Sequence, residues 1–196
     1  MFRNMSVHAL CTNRRGSVAV EFVIISALLL TFIFFLTDLV IRQATTGRLD
    51  RTSYSVAGTL RERIQLYDAR EELNQQDVDQ IKNLAARMLT DMHQETDISD
   101  LKLVVEELHF EDTTSIGSTN KEVKLYRSWQ SGSSGSCSPP QALNQLTQLA
   151  PKGSYGRWVP LYQVTICLPT TSWYTKLITS SAENPVLSSF AIVMAR

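Results

Sequence analysis

Two sets of side chains have the types and spacing for chemistry. In "RRGSVAVEF", residues 14–22, Arg14 and Arg15 precede Gly16 and Ser17, and Glu21 stands at the mouth of a long apolar run. A charge inside a membrane span is costly and marks function by default. Two readings stand side by side. Glu21 lies near the headgroups and snorkels, helped by the favourable dipole at a helix N-terminus. Alternatively the chain is cut between Gly16 and Ser17, which frees an α-amino group one helical turn before Glu21. The carboxylate of one subunit can then neutralise the ammonium of a staggered neighbour. Such a pair sets register, because misalignment leaves both charges buried and unmatched.

The second set is sulfur. Cys11 precedes the apolar run, whereas Cys137 and Cys167 follow it. If a membrane separates them, Cys137 and Cys167 can pair in an oxidising compartment while Cys11 stays out of reach. That bridge would close a loop of about 30 residues and stabilise by roughly 3–4 kcal/mol on the chain-entropy estimate. The competing reading is two independent small buried hydrophobes.

Other constellations are incomplete. His8, His93 and His109 are the only histidines, and "HQE" at 93–95 lacks the second histidine of a zinc-protease helix. "EDTT", from Glu111, lacks the glycine and terminal glutamate of a calcium loop. "GSSGS", from Gly132, is not a nucleophile elbow. Glu106–Glu107 and Glu111–Asp112 read as solvated faces. The sequence therefore points away from an enzyme, and no cofactor or metal is expected.

The elements that must hold these groups begin with the apolar run. From Val18 to Ile41 only Glu21 and Asp38 are charged. The roughly 24 residues rise about 36 Å as a helix, enough to cross a ~30 Å hydrocarbon core. The run is too long for the 7–15-residue core typical of a cleaved secretory signal, and Ala44-Thr45-Thr46 is a poor cleavage site. Arg3, Arg14 and Arg15 precede it with no acidic residue in positions 1–16. The positive-inside rule then holds the N-terminus in the cytoplasm and sends the remainder across, although Arg42, Arg48 and Arg51 oppose this slightly. A bacterial inner membrane with a periplasmic domain fits best. The 196 residues carry 19 basic and 19 acidic side chains. That balance gives no reason to expect nucleic acid.

A basic leader ending in glycine, a glutamate at the fifth position beyond it, and an unbroken apolar helix together resemble the type IV prepilin pattern. The stretch "GSVAVEF" departs from the common "GFTLIE": Ser17 replaces phenylalanine, and Phe22 follows the glutamate. Small apolar residues before Glu-Phe are more similar to the tight-adherence (Tad/Flp) branch. The chain is too long for a major Flp pilin and resembles the larger TadE/TadF pseudopilins, TadF in preference to TadE. The resemblance implies that a prepilin peptidase removes residues 1–16 after Gly16. Residues 17–41 would remain as the transmembrane helix, with Glu21 and Phe22 setting register in an assembly. Its implied partners are the inner membrane, other pilins or pseudopilins and the Tad secretion machinery. Its implied role is assembly of Flp pili used in adhesion and biofilm formation.

Beyond the membrane, Leu49, Val56, Leu60, Ile64 and Tyr67 continue one apolar stripe, predicting a helical extension over 42–70 that packs on the chain's own sheet or on a neighbour. Gly47 and Gly58 would permit close approach or a bend. Val78, Ile81, Leu84, Ala85, Met88, Leu89 and Met92 form a second helical face, with Asp77 and Gln80 as its capping box. The period then changes to two. Leu101–Phe110, Val123–Trp129, Trp158–Leu168 and Phe190–Met194 read as strands, with Pro160 and Pro169 marking strand ends or an edge. "SGSSGSCSPP", 131–140, is a loop carrying Cys137, "EDTTSIGSTN", 111–120, joins the first two strands, and 170–178 adds a short helix. The expectation is an α+β head over 71–196, with about four mostly antiparallel strands, on a long N-terminal helix. An uncleaved single-pass receptor with a ligand-binding periplasmic domain is the competing function. The mature N-terminus separates the two.

Overall fold

A computed structural model describes residues 14–66, 72–92, 98–112, 120–132, 137–153, 156–169 and 186–195. The chain divides into two compact units, Met1–Gln43 and Ala44–Arg196. The architecture is α+β. Helix α1 runs over Arg14–Leu66 and α2 over Gln75–Met92. Strands β1 (Lys102–Phe110), β2 (Val123–Ser131), β3 (Leu161–Pro169) and β4 (Val186–Met194) form one sheet in the order β2-β1-β3-β4. Every neighbouring pair is antiparallel.

In the first unit α1 is apolar on all sides and exposed on all sides. Among the described residues it is the one helix long and apolar enough to cross a membrane, and none of its apolar window is buried. A helix of this kind suits a hydrocarbon solvent, because it satisfies its own backbone. Two of its hydroxyls are answered locally as well. Thr31 donates to the Ala27 carbonyl at 2.8 Å and Thr37 to the Ile33 carbonyl at 2.9 Å.

In the second unit the same helix turns amphipathic. Leu49, Thr52, Ser53, Val56, Ala57 and Leu60 are buried. With Val78, Ile81, Ala85 and Leu89 of α2 they cover the sheet face made by Leu103, Val105, Tyr162, Val164 and Ile166. The stripe thus finds the chain's own sheet; the side chain of Ile64, and Tyr67 entirely, lie outside the described residues. Ser189 of β4 donates to Asp50 at 2.6 Å and shares a 2.9 Å hydrogen bond with Ser53, tying α1 to the sheet. Close approach at the glycines is not found. A Cβ at Gly47 or Gly58 would meet nothing within 4 Å, since both point away from the packed stripe.

Helix α2 starts one turn earlier than its apolar face suggests. Asn74 is the N-cap: its Oδ1 accepts from the Asp77 amide at 2.9 Å, and Asp77 Oδ2 accepts from the Asn74 amide at 3.0 Å. The capping box is therefore Asn74/Asp77, and Asp77 closes it rather than opening one with Gln80. Met88 packs against the core, while the side chain of Met92 lies outside the described residues.

The two central strands are buried on both faces and the two outer ones are half exposed. The second face is roofed by residues 137–153, whose 3-10 turns Leu143–Gln145 and Thr147–Leu149 set Leu143 and Ala150 over Leu108, Phe110 and Leu161. Lys121 fastens this roof by donating to the Thr147 and Ala150 carbonyls at 2.6 and 2.8 Å, and lies 4.2 Å from the Trp158 ring centre. Burial lowers the pKa of its ammonium from the ordinary value.

The strands differ from the sequence reading in detail. Trp158 stands ahead of β3, in an isolated bridge with Lys152, and Pro160 and Pro169 flank and end that strand. Strand β4 forms as expected, but Leu187, Ser189 and Ala191 take the buried face while Phe190 and Met194 stay exposed. The side under α1 is filled by small residues because the helix comes close there. Gly132, with φ of 127°, ends β2 where a Cβ would come within 2.5 Å of the Leu101 carbonyl oxygen. The expected short helix at 170–178 lies outside the described residues.

Candidate functional site

The residues singled out for processing lie at the start of α1. The helix is described from Arg14 onward, so the Gly16–Ser17 bond lies within it. Four residues at 1.5 Å each put the Glu21 backbone roughly 6 Å along the axis from Ser17. Val18, Val20, Glu21, Phe22 and Val23 are all exposed. The side chains of Arg14, Arg15 and Ser17, and Cys11, lie outside what is described.

The second unit holds two carboxylates whose placement differs from the sequence expectation. Glu106 and Glu107 are buried, not solvated; Glu111 and Asp112 are exposed. The cause is topological. Strand β1 is central and covered on both faces, so consecutive residues enter opposite layers of core.

Glu107 faces the helices. Its Oε2 accepts from the Leu73 amide at 2.9 Å and lies 3.7 Å from His109 Nε2. Arg127, its direct partner across β1–β2, sits 3.8 Å from Oε1 and forms a 2.9 Å bond to Glu72. The His109 ring packs edge-on against Tyr162 at 6.1 Å. Glu106 faces the roof, taking hydrogen bonds from the Tyr126 hydroxyl and from the Leu143 amide, the latter at 3.2 Å. Burial first, then the hydrogen bond to Glu106 and its negative charge, push the Tyr126 hydroxyl up to about 12. A hint of this existed in the sequence: "EE" on β1 meets "YR" on β2. Reading it required the register.

Cys137 of the roof and Cys167 of β3 form a disulfide with Cα atoms 5.9 Å apart, packed against Val104. It fastens the roof segment to a central strand. Among the described residues no three His, Cys, Asp or Glu side chains converge as a metal site would require. His93 and residues 113–119 and 133–136 lie outside them.

What these parts define is a class: a single-pass membrane protein in which one long apolar helix carries an α+β domain. The comparison with protein families makes this specific. Residues 9–196 match the TadF model, described as "Putative tight adherence pilin protein F". The chain belongs to the TadF family, and its role is that of a pilin related to the Tad pilus. No curated protein and no solved structure shows a significant match.

Proposed function

We propose that this chain is a minor pilin or pseudopilin of a tight-adherence secretion system, cleaved by prepilin peptidase between Gly16 and Ser17. It serves assembly of the Flp pili used in adhesion and biofilm formation. The observation that carries the reading is the TadF match over residues 9–196, which takes in the leader junction, the membrane helix and the domain beyond it. The boundaries we assign are a leader at 1–16, a transmembrane helix at 17–41, a helical extension at 42–70 and a head at 71–196.

In this reading the protein works by packing. Arg14 and Arg15 hold the leader on the cytoplasmic side. Glu21, with Phe22 beside it, pairs with the new terminus of an adjacent subunit and sets register. The helix lies in the bacterial inner membrane with the head in the periplasm. The Cys137–Cys167 bond supports that side, because structural disulfides persist in oxidising compartments. The role is structural, and its partners are the peptidase, related pilins and the Tad machinery.

Two substitutions test it. Replacing Gly16 by alanine or a bulkier residue blocks processing and leaves insertion intact; unimpaired cleavage would remove the peptidase from the account. Glu21→Ala inserts normally and disturbs assembly, read as loss of surface pili in a complemented strain. Normal piliation would show that the carboxylate is merely tolerated.

A further inference from the structure

The two edges of the sheet are unlike. Strand β2, VKLYRSWQS, carries Lys124 and Arg127, and its pairing with β1 is irregular between His109 and Phe110. Charges and register breaks are how natural sheets keep an edge from pairing with another chain. Strand β4, VLSSFAIVM, has no charge, proline or glycine across its nine residues. Among the described residues no strand pairs with its outer side. Val186, Phe190 and Met194 keep 43, 45 and 48% of their surface exposed, on the face opposite the helices. An apolar, uncharged edge of this length is a template for strand addition.

We infer that β4 pairs edge to edge and antiparallel with β4 of a second copy of this chain, joining the two sheets into one. The strand's own pattern selects that occupant. Two-fold pairing centred on Phe190 sets Phe190 opposite its counterpart, Val186 opposite Met194 and Ser188 opposite Ile192. Every exposed large apolar side chain thereby meets another, and no charge is buried. A shift of two residues in either direction would set Phe190 opposite Ser188 or Ile192 and leave Val186 or Met194 without its partner. Pairing with β2 of another copy would bring Lys124 against the apolar row. The contact is therefore isologous: one partner saturates the edge, and assembly closes at two rather than growing into a fibre. Cross-strand aromatic and aliphatic pairs are the stabilising unit of such a junction, and like charges directly opposite oppose it. Nothing here depends on cleavage after Gly16.

The test uses the full chain in detergent micelles, with a photoreactive benzoylphenylalanine in place of Phe190. Illumination should give a covalent dimer whose crosslink maps to residues 186–194 of the second copy. In sedimentation, Phe190→Lys should weaken self-association tenfold or more, while Val123→Lys on the opposite edge, 44% exposed in the native chain, should leave it unchanged. A monomeric native chain would overturn the inference. So would a dimer indifferent to Phe190→Lys, or a crosslink from position 190 to another region of the copy. Repeated in native membranes, a crosslink to a different protein would assign the edge to that partner and overturn the second copy. Should Phe190→Lys fail to fold, shown by loss of its β-sheet circular dichroism, the photocrosslink decides alone.

Discussion

Residues 18–41 and 49–60 belong to one helix and solve opposite problems. The first stretch is apolar around its whole circumference and buries none of its hydrophobic window. The second buries a single stripe, from Leu49 to Leu60, and turns Arg51 and Tyr54 outward. Hydrophobicity and its distribution both tell them apart. An all-round apolar helix needs an apolar solvent, whereas a one-sided helix needs a single packing partner, which the sheet supplies. The carboxylates follow the same division. Glu107 is fully buried, with a Leu73 amide and Arg127 beside it, and belongs to the fold. Glu21 stands exposed where lipid or another chain is the surrounding medium, and in our proposal belongs to assembly.

The largest expected effect sets these two glutamates against each other. Glu107→Ala leaves the buried Leu73 amide without its acceptor, which costs about 1–3 kcal/mol, and opens a cavity that adds roughly 2 kcal/mol, while Arg127 keeps its bond to Glu72. Glu21→Ala leaves the stability of the second unit unchanged. Urea denaturation followed by near-ultraviolet circular dichroism checks both; equal losses would erase the distinction. Next in size, replacing Cys137 and Cys167 by serine removes roughly 3–4 kcal/mol on the chain-entropy estimate. Because the bond ties the roof and not the helices, hydrogen exchange should rise first in residues 137–153, with the face under α1 opening later.

A smaller effect depends on pH. The Tyr126 hydroxyl is held at about 12 in the fold against about 10 in the unfolded chain. Its folded pKa is raised, so its contribution is fully present below pH 10 and is lost as pH climbs toward 12. Tyr126→Phe should flatten the alkaline limb of a stability–pH curve, beside a loss at neutral pH from the missing hydrogen bond to Glu106. Smallest is Gly58→Ala. Its Cβ enters open space, and alanine should stabilise the helix by ~0.5–1 kcal/mol, seen as a small rise in Tm.

Much of this fold was legible in the residues, for physical reasons. The membrane run shows as an unbroken apolar stretch, and the strands show through their two-residue period. The errors share a cause: each depended on a neighbour that the sequence does not name. Glu106 and Glu107 look like surface charge until Tyr126 and Arg127 are placed beside them by register. Trp158 looks like part of β3 until its bridge to Lys152 sets it ahead of that strand. The capping box shifts a turn because Asn74, outside the apolar pattern, supplies the cap. At the candidate site, Gly16, Ser17 and Glu21 were legible as a motif. Their role was not, since it concerns a peptidase and another subunit.

The division between fold and assembly rests finally on the mature N-terminus. Intact-mass measurement of the protein recovered with its cognate prepilin peptidase tests it most directly. The account predicts a chain that begins at Ser17, shorter by residues 1–16. A chain recovered with those residues still attached would contradict it and return the protein to the uncleaved receptor.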